Sequence, residues 1–256
     1  MAKLPQFLEP RLRLFLGADI IGSTALKQTR LGAHKRPTDQ ASKGPAWFSA
    51  IQGFYFEAAQ AFLFDWERSK AASDDPGTLY GPAPKLWKTV GDEVLFVKQL
   101  TDHRQLAITL QCWMRALRRM KDFLRTESSV LDVKSTCWTA GFPFRNREVV
   151  LDVNADLKKG RVENYYRESG VILNSHYKNQ DKSKVSIDYI GPSIDTGFRL
   201  SGYATGRKFI ASVDVAYIIS MTHFDGEIKR LDFFYDGSVS LKGVFGGSNY
   251  PIFWID

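Results

Sequence analysis

The order of strand-like and helix-like segments predicts an α+β fold, a ferredoxin-like split βαβ core with helices packed on one side of a mostly antiparallel sheet. Three observations carry this reading. Strand, helix, strand, strand, helix and strand patterns follow one another before a third helix. The stretch Leu14 to Thr24, LFLGADIIGST, brings a carboxylate, Asp19, to a strand end and turns through Gly22-Ser23-Thr24 into a helix. The stretch Leu86 to Val97, LWKTVGDEVLFV, is a β-type run broken at Val90-Gly91-Asp92-Glu93, which reads as a hairpin with a carboxylate at its tip. With 256 residues, 44% hydrophobic and 13% aromatic, the chain can build one large core, so a single domain over 1–256 is expected.

In chain order, residues 1–11 read as an arm punctuated by Pro5 and Pro10, and Arg11 to Asp19 as the first strand. Residues 31–45, rich in turn formers, read as an exposed basic loop. A helix is expected from Ala46 to Ser69, because Trp47, Ile51, Phe54, Phe62 and Trp66 recur near a period of 3.6 and form a core or interface face. Asp74 to Pro84 is a turn-rich excursion before the hairpin. A second helix, Asp102 to Arg125, sets Arg115, Arg118, Arg119 and Asp122 on a solvated face opposite Leu110, Met114 and Leu117. Strands are expected at Leu131 to Gly141, Val149 to Val153 and Gly170 to Leu173, with the chain back at the sheet edge around Asp188. A helix at Ile194 to Gly202, a strand at Phe209 to Val213, a helix at Val215 to Met221 and strands at Gly237 to Val244 and Tyr250 to Ile255 complete the pattern.

No apolar run reaches the ~18 residues of a membrane span, and the first residues lack the apolar segment of a signal peptide, so a cytoplasmic protein without membrane insertion is expected. Cys112 and Cys137 read as buried small hydrophobes. The net charge of +7 suits a polyanionic partner without choosing among nucleic acid, an acidic membrane and a small substrate. His34, His103, His176 and His223 lack paired ligand spacing, which argues against zinc or a Ser/His triad.

If the two carboxylate tips lie side by side, Asp19 and Asp92 repel unless a divalent cation sits between them. Mg²⁺ prefers one or two carboxylates together with substrate phosphates, so the pattern points to metal-dependent phosphoryl transfer. The same residues carry a family resemblance. ADIIGST, KTVGDEVLFV, DYIGPSIDTGFRL and LKGV, in that order between about Leu12 and Ile255, resemble a class III nucleotidyl cyclase catalytic domain, the adenylate and guanylate cyclase family.

That resemblance implies two Mg²⁺ or Mn²⁺ ions per site, held by Asp19, Asp92 and the backbone carbonyl of Ile20 against a nucleoside triphosphate. It implies that Arg199 faces the α-phosphate, that Lys134 and Lys242 hold the triphosphate, and that Lys88 and Asp188 read the base. Asp195 stands where the family commonly has the asparagine that contacts the ribose, and its oxygens can only accept. Head-to-tail homodimers with active sites at the interface are implied, the metal aspartates from one chain and Lys88, Asp188, Arg199 and Lys242 from the other. The GPSIDTGFRL form, on a short chain with a long basic interval before the second metal motif, is most similar to the bacterial pyrimidine cyclases of the Pycsar antiphage system. Those make cyclic UMP or cyclic CMP for a separate effector, and aromatics such as Trp87 or Tyr189 could border a one-ring base. Three alternatives stand beside this: an adenylate cyclase, favoured by the Lys88 and Asp188 pair; a non-catalytic regulatory homologue; and an RNA-binding module using Phe142 and Phe144.

Overall fold

The computed structural model describes residues 5–28, 45–151, 165–179 and 186–256. β1 (Arg11–Ile21) leads through Gly22 into α1 (Ser23–Gln28). Gly22 has φ +89°, a left-handed turn that an L side chain would strain. α2 (Ala46–Ala71) follows, then α3 (Pro76–Tyr80) within the turn-rich excursion, capped by Asp75, whose carboxylate accepts from the Thr78 N–H at 3.2 Å. β2 (Lys85–Val90) and β3 (Glu93–Leu100) form the expected hairpin, and α4 (Arg104–Glu127) leads into β4 (Asp132–Phe142). β5 (Arg147–Leu151), α5 (Tyr165–Asn179), β6 (Ser186–Ile190), α6 (Pro192–Leu200), β7 (Phe209–Ala211), α7 (Val213–Ser220), β8 (Phe233–Ser240) and β9 (Asn249–Ile255) complete the chain.

The main sheet runs β2-β3-β1-β4-β7-β9-β8. Its first four strands are antiparallel neighbours in the split βαβ order, and β7 joins β4 in parallel. On one face Leu14, Leu16 and Ala18 of β1 meet Phe54, Phe62 and Trp66 of α2 and Leu106 and Trp113 of α4, all buried. Phe62 stands edge-on to Phe96 and Trp113, with centroids 5.2 and 4.8 Å away.

The opposite face is covered as well, which corrects the expectation of helices on one side only. Residues 13–18 of β1 form an unbroken buried run, so the strand needs apolar cover on both faces. Phe15, Leu95, Trp138, Phe142, Tyr189 and Ile194 form this second core, with α6 lying across it. A second, two-stranded sheet of β5 and β6 is anchored to β1 by a buried network. In it Arg13 Nε donates to Glu148 at 2.8 Å, Arg13 Nη2 to the Tyr177 hydroxyl at 3.0 Å, and Tyr177 to Glu148 at 2.6 Å.

Several boundaries differ from the sequence reading. Gly170 to Leu173 is helical, inside α5, and the partner of β5 is β6. A run as short as Val171-Ile172-Leu173 has no period that separates helix from strand. The strand expected at Gly237 to Val244 begins earlier, at Phe233, because a register shift between Tyr235 and Ser238 breaks its alternation. Arg115 is not simply solvated: it donates to Asp65 at 2.6 Å and to Ser69 at 2.9 Å, tying α4 to α2. Both cysteines are free and buried. The basic loop at 31–44, the end of the strand expected at 149–153, and the Lys182 to Lys184 cluster lie outside the described residues. Among the described residues no helix is long and apolar enough to cross a membrane.

Candidate active site

The antiparallel registers of β1 set the site. Asp19 lies opposite Glu93 of β3 on one side and opposite Lys134 of β4 on the other, at the end of the sheet where the β2–β3 hairpin turns. Gly91, at φ +65°, makes that turn possible, and the Tyr55 hydroxyl of α2 holds it by donating to the Gly91 carbonyl. The turn lies against β1, where the Ile20 N–H donates to the Asp92 carbonyl at 3.3 Å. The Asp92 carboxylate is held in turn by the first residues after β1: the Ser23 hydroxyl donates to Oδ2, and Lys27 Nζ lies 3.4 Å from Oδ1. Lys134 Nζ lies 3.0 Å from Asp19 Oδ2.

Three carboxylates therefore crowd one strand end. Burial pushes the Asp19 carboxyl above its ordinary value, the Lys134 ammonium opposes this, and the Asp92 charge adds to it. Glu93 is pushed up to about 7, chiefly by burial and next by the Asp19 charge. Ser23, Lys27 and Glu93 are absent from the sequence-derived set. The signal for Glu93 was present in the pattern, since β-strand alternation puts it on the face of Leu95, but its neighbourhood with Asp19 needs the register between β1 and β3.

The donor set fits a hard divalent cation. Asp19 and Asp92 offer acceptor-only oxygens beside the Ile20 peptide, and among the described residues the ammonium groups that pair with them are those of Lys27 and Lys134. Among the described residues no group of three or more His, Cys, Asp or Glu forms a complete metal cage.

A second cluster forms around Asp188 of β6. Lys88 Nζ donates to Asp188 Oδ1 at 2.8 Å, the Trp87 indole N–H at 3.1 Å and the Tyr189 N–H at 3.0 Å, so one oxygen takes three bonds. Trp87 packs edge-on against Phe15 and Tyr189, both with centroids 5.2 Å or less away. Tyr189 is buried in the second core, so Trp87 is the aromatic that reaches the Lys88–Asp188 pair with its polar atom.

Asp195 and Arg199 lie one turn apart on the exposed face of α6, and Lys242 is exposed in the turn after β8. The structure thus brings Asp19, Ile20, Asp92 and Lys134 together, and Lys88 with Asp188. Among the described residues no side-chain hydrogen bond or ion pair links Asp195, Arg199 or Lys242 to either cluster. The aromatic pair required for RNA stacking is split, with Phe142 3% exposed and Phe144 74%.

No protein-family model matches the chain, and no curated protein matches it. Solved structures do match in fold. The adenylyl cyclase CyaB from P. aeruginosa superposes with a TM-score of 0.61 at 10% identity, over 97% of this chain and 95% of that one. The guanylate cyclase domain of RhGC from Catenaria anguillulae, solved in complex with GTP, gives 0.55 at 10% identity, over 97% and 98%. A bacterial light-regulated adenylyl cyclase gives 0.54 at 8% identity, over 97% and 91%. The chain has the fold of these nucleotidyl cyclase domains over nearly its whole length.

Proposed function

We propose that the chain is a nucleotidyl cyclase that converts UTP or CTP to the 3′,5′-cyclic nucleotide and pyrophosphate, working as a homodimer. In this reading the product is an alarm signal of antiphage defence, received by a separate cyclic-nucleotide-gated effector. The observation that carries the enzymatic reading is the meeting of Asp19 and Asp92 at one sheet end across the Ile20–Asp92 backbone bond. In the reaction the ribose 3′-oxygen attacks the α-phosphorus of its own nucleotide and pyrophosphate leaves. Nucleophile and electrophile belong to one molecule, so the protein has to fix a bent conformation and neutralise charge.

Each residue has a task in that scheme. Asp19, Asp92 and the Ile20 carbonyl would hold Mg²⁺ or Mn²⁺, two per site; bound there, the ions would acidify the 3′-hydroxyl and offset the triphosphate charge. Lys134 swings from Asp19 to the phosphates, and Lys242 joins it. Arg199 presents its planar fork to the α-phosphate. Asp195, one turn before it, accepts a hydrogen bond from a ribose hydroxyl. Lys88 and Asp188 read the base edge, with Trp87 filling space that a second ring would occupy. Asp195, Arg199 and Lys242 are exposed, as groups completing a site on a partner copy would be.

Incubating the purified protein with Mn²⁺ and each of the four NTPs tests this reading. Cyclic UMP or cyclic CMP is expected; no cyclic product from any NTP removes the enzyme. A second reading, an adenylate cyclase, is favoured by the Lys88–Asp188 pair at 2.8 Å, and cyclic AMP as the main product would select it. The shared site has its own test. Asp92→Ala and Arg199→Ala proteins, each inactive alone, should recover about one working site per heterodimer on mixing. Absence of recovery overturns the division of the site between two chains.

A further inference from the structure

On the face of the sheet covered by α2 and α4, opposite the face on which Asp19 and Lys134 stand, a cavity of about 380 Å³ opens between α4, β4, β7, the 205–207 turn and Asp256. Its walls are aliphatic and aromatic, from Met114, Leu117, Val133, Phe209 and Ile255, and its mouth carries Arg118, Lys121 and Arg207. Lys121 lies 3.0 Å and Arg125 3.9 Å from Asp132, and Arg207 forks onto Asp256 at 3.1 and 2.8 Å. Among the lining residues three cations, Arg118, Lys121 and Arg207, thus face one carboxylate, Asp256, and Arg118 has no ion-pair partner among the described residues. The Arg207 side chain is 74% exposed, and ion pairs in water contribute little, so an arriving anion can exchange for them. The size falls in the range of small-molecule pockets, and an apolar body with one convergent charge at its mouth is their usual chemistry.

We propose that this cavity binds a small amphipathic anion, an aliphatic chain ended by a carboxylate. The chain lies along Leu117, Val133 and Ile255, and the carboxylate meets Arg118 with Lys121 or Arg207. The site is separate from the nucleotide cluster and does not rest on the cyclase reading.

Decanoate serves as the probe, with 1-decanol carrying the body alone and acetate the charge alone. Calorimetry of the intact protein should give saturable binding of one decanoate per chain with a midpoint of ~1 mM or below. Decanol and acetate should each bind at least ~10-fold more weakly, because each lacks one half of the complementarity. Arg118→Glu, at an exposed position, should weaken decanoate ~10-fold, and Leu117→Lys should abolish it, while Asp92→Ala leaves it unchanged. Methyl NMR signals of Leu117, Val133 and Ile255 should shift on titration. Decanoate uptake that fails to saturate, that survives Arg118→Glu undiminished, or that moves methyl groups elsewhere overturns the proposal. Arg118→Glu with the methyl map decides the matter if Leu117→Lys fails to fold.

Discussion

Gly197 shows how closely single residues are fitted around the candidate site. A Cβ built there would come within 2.1 Å of the Trp138 ring, a distance no real contact reaches, so α6 can lie on the second core only with glycine at this position. Gly197→Ala must push α6 away from Trp138 or turn the indole. It should cost ~1–3 kcal/mol in denaturant unfolding, the usual range for overpacking. If Arg199, two residues on in the same helix, serves the proposed cyclase reaction, that activity should fall by more than the stability loss explains at a temperature where the variant is fully folded. An activity equal to wild type in a folded Gly197→Ala protein would separate the seat of α6 from the chemistry. At this scale the meeting of Asp19 and Asp92 at one sheet end is legible because each stands at a turn inside a motif, whereas Arg199, read from the same kind of signal, contacts neither cluster among the described residues. Glu93, Ser23 and Lys27 were not, because their relation to the aspartates is set by strand register and by the turn into α1.

Between elements, buried polar side chains do the joining, and they are hard to foresee. Lys98 of β3 is 1% exposed and donates to the carbonyls of Tyr80 and Pro82, both at 2.6 Å, with the Trp66 ring 4.5 Å from its ammonium. It fastens the α3 excursion to the sheet immediately before β2, the strand that carries Lys88. In the sequence Lys98 is only a charged residue near the end of an apolar strand, and nothing local marks it as buried. Burial pushes its pKa down to about 7. Below pH 7 the ammonium is charged whether the chain is folded or unfolded. Between about 7 and the unfolded value near 10.4, the unfolded chain holds a proton that the folded one has released. Unfolding then takes up a proton, and stability rises with pH across that window. Relative to a Lys98→Met protein, wild type should gain up to ~1.4 kcal/mol per pH unit between pH 7 and 9, measured by urea unfolding. Parallel curves for the two proteins would mean that Lys98 stays charged in the fold.

For the whole molecule, the order of elements was readable because the helix of Arg104–Glu127 is strongly amphipathic, the aromatic core residues of Ala46–Ala71 recur near a helical period, and β1 and β3 are short apolar runs closed by turn residues; β2-β3-β1-β4 is the arrangement that order predicts. The second apolar face was less readable. Its residues come from β1, β3, β4, β6 and α6, and no single segment betrays that they converge. That face brings β6 beside β2, where the chain's outer edge is unusually apolar: Leu86 and Val90 of β2 are 50% and 51% exposed, and Ile190 of β6 is 53% exposed. An edge strand with open backbone groups and exposed aliphatics is a pairing hazard unless something covers it. A second copy in a head-to-tail homodimer would cover it and bring its own Asp19 and Asp92 towards Lys88 and Asp188. Val90→Arg places a charge on that exposed edge, at the end of β2, and replaces no buried residue. If the proposed homodimer forms, sedimentation should show monomers for this variant and dimers for wild type, with the proposed cyclase activity lost and the melting temperature of the monomer otherwise that of a folded protein. A Val90→Arg protein that still sediments as a dimer would move the interface off this edge, and one that is monomeric yet fully active would confine the whole site to a single chain.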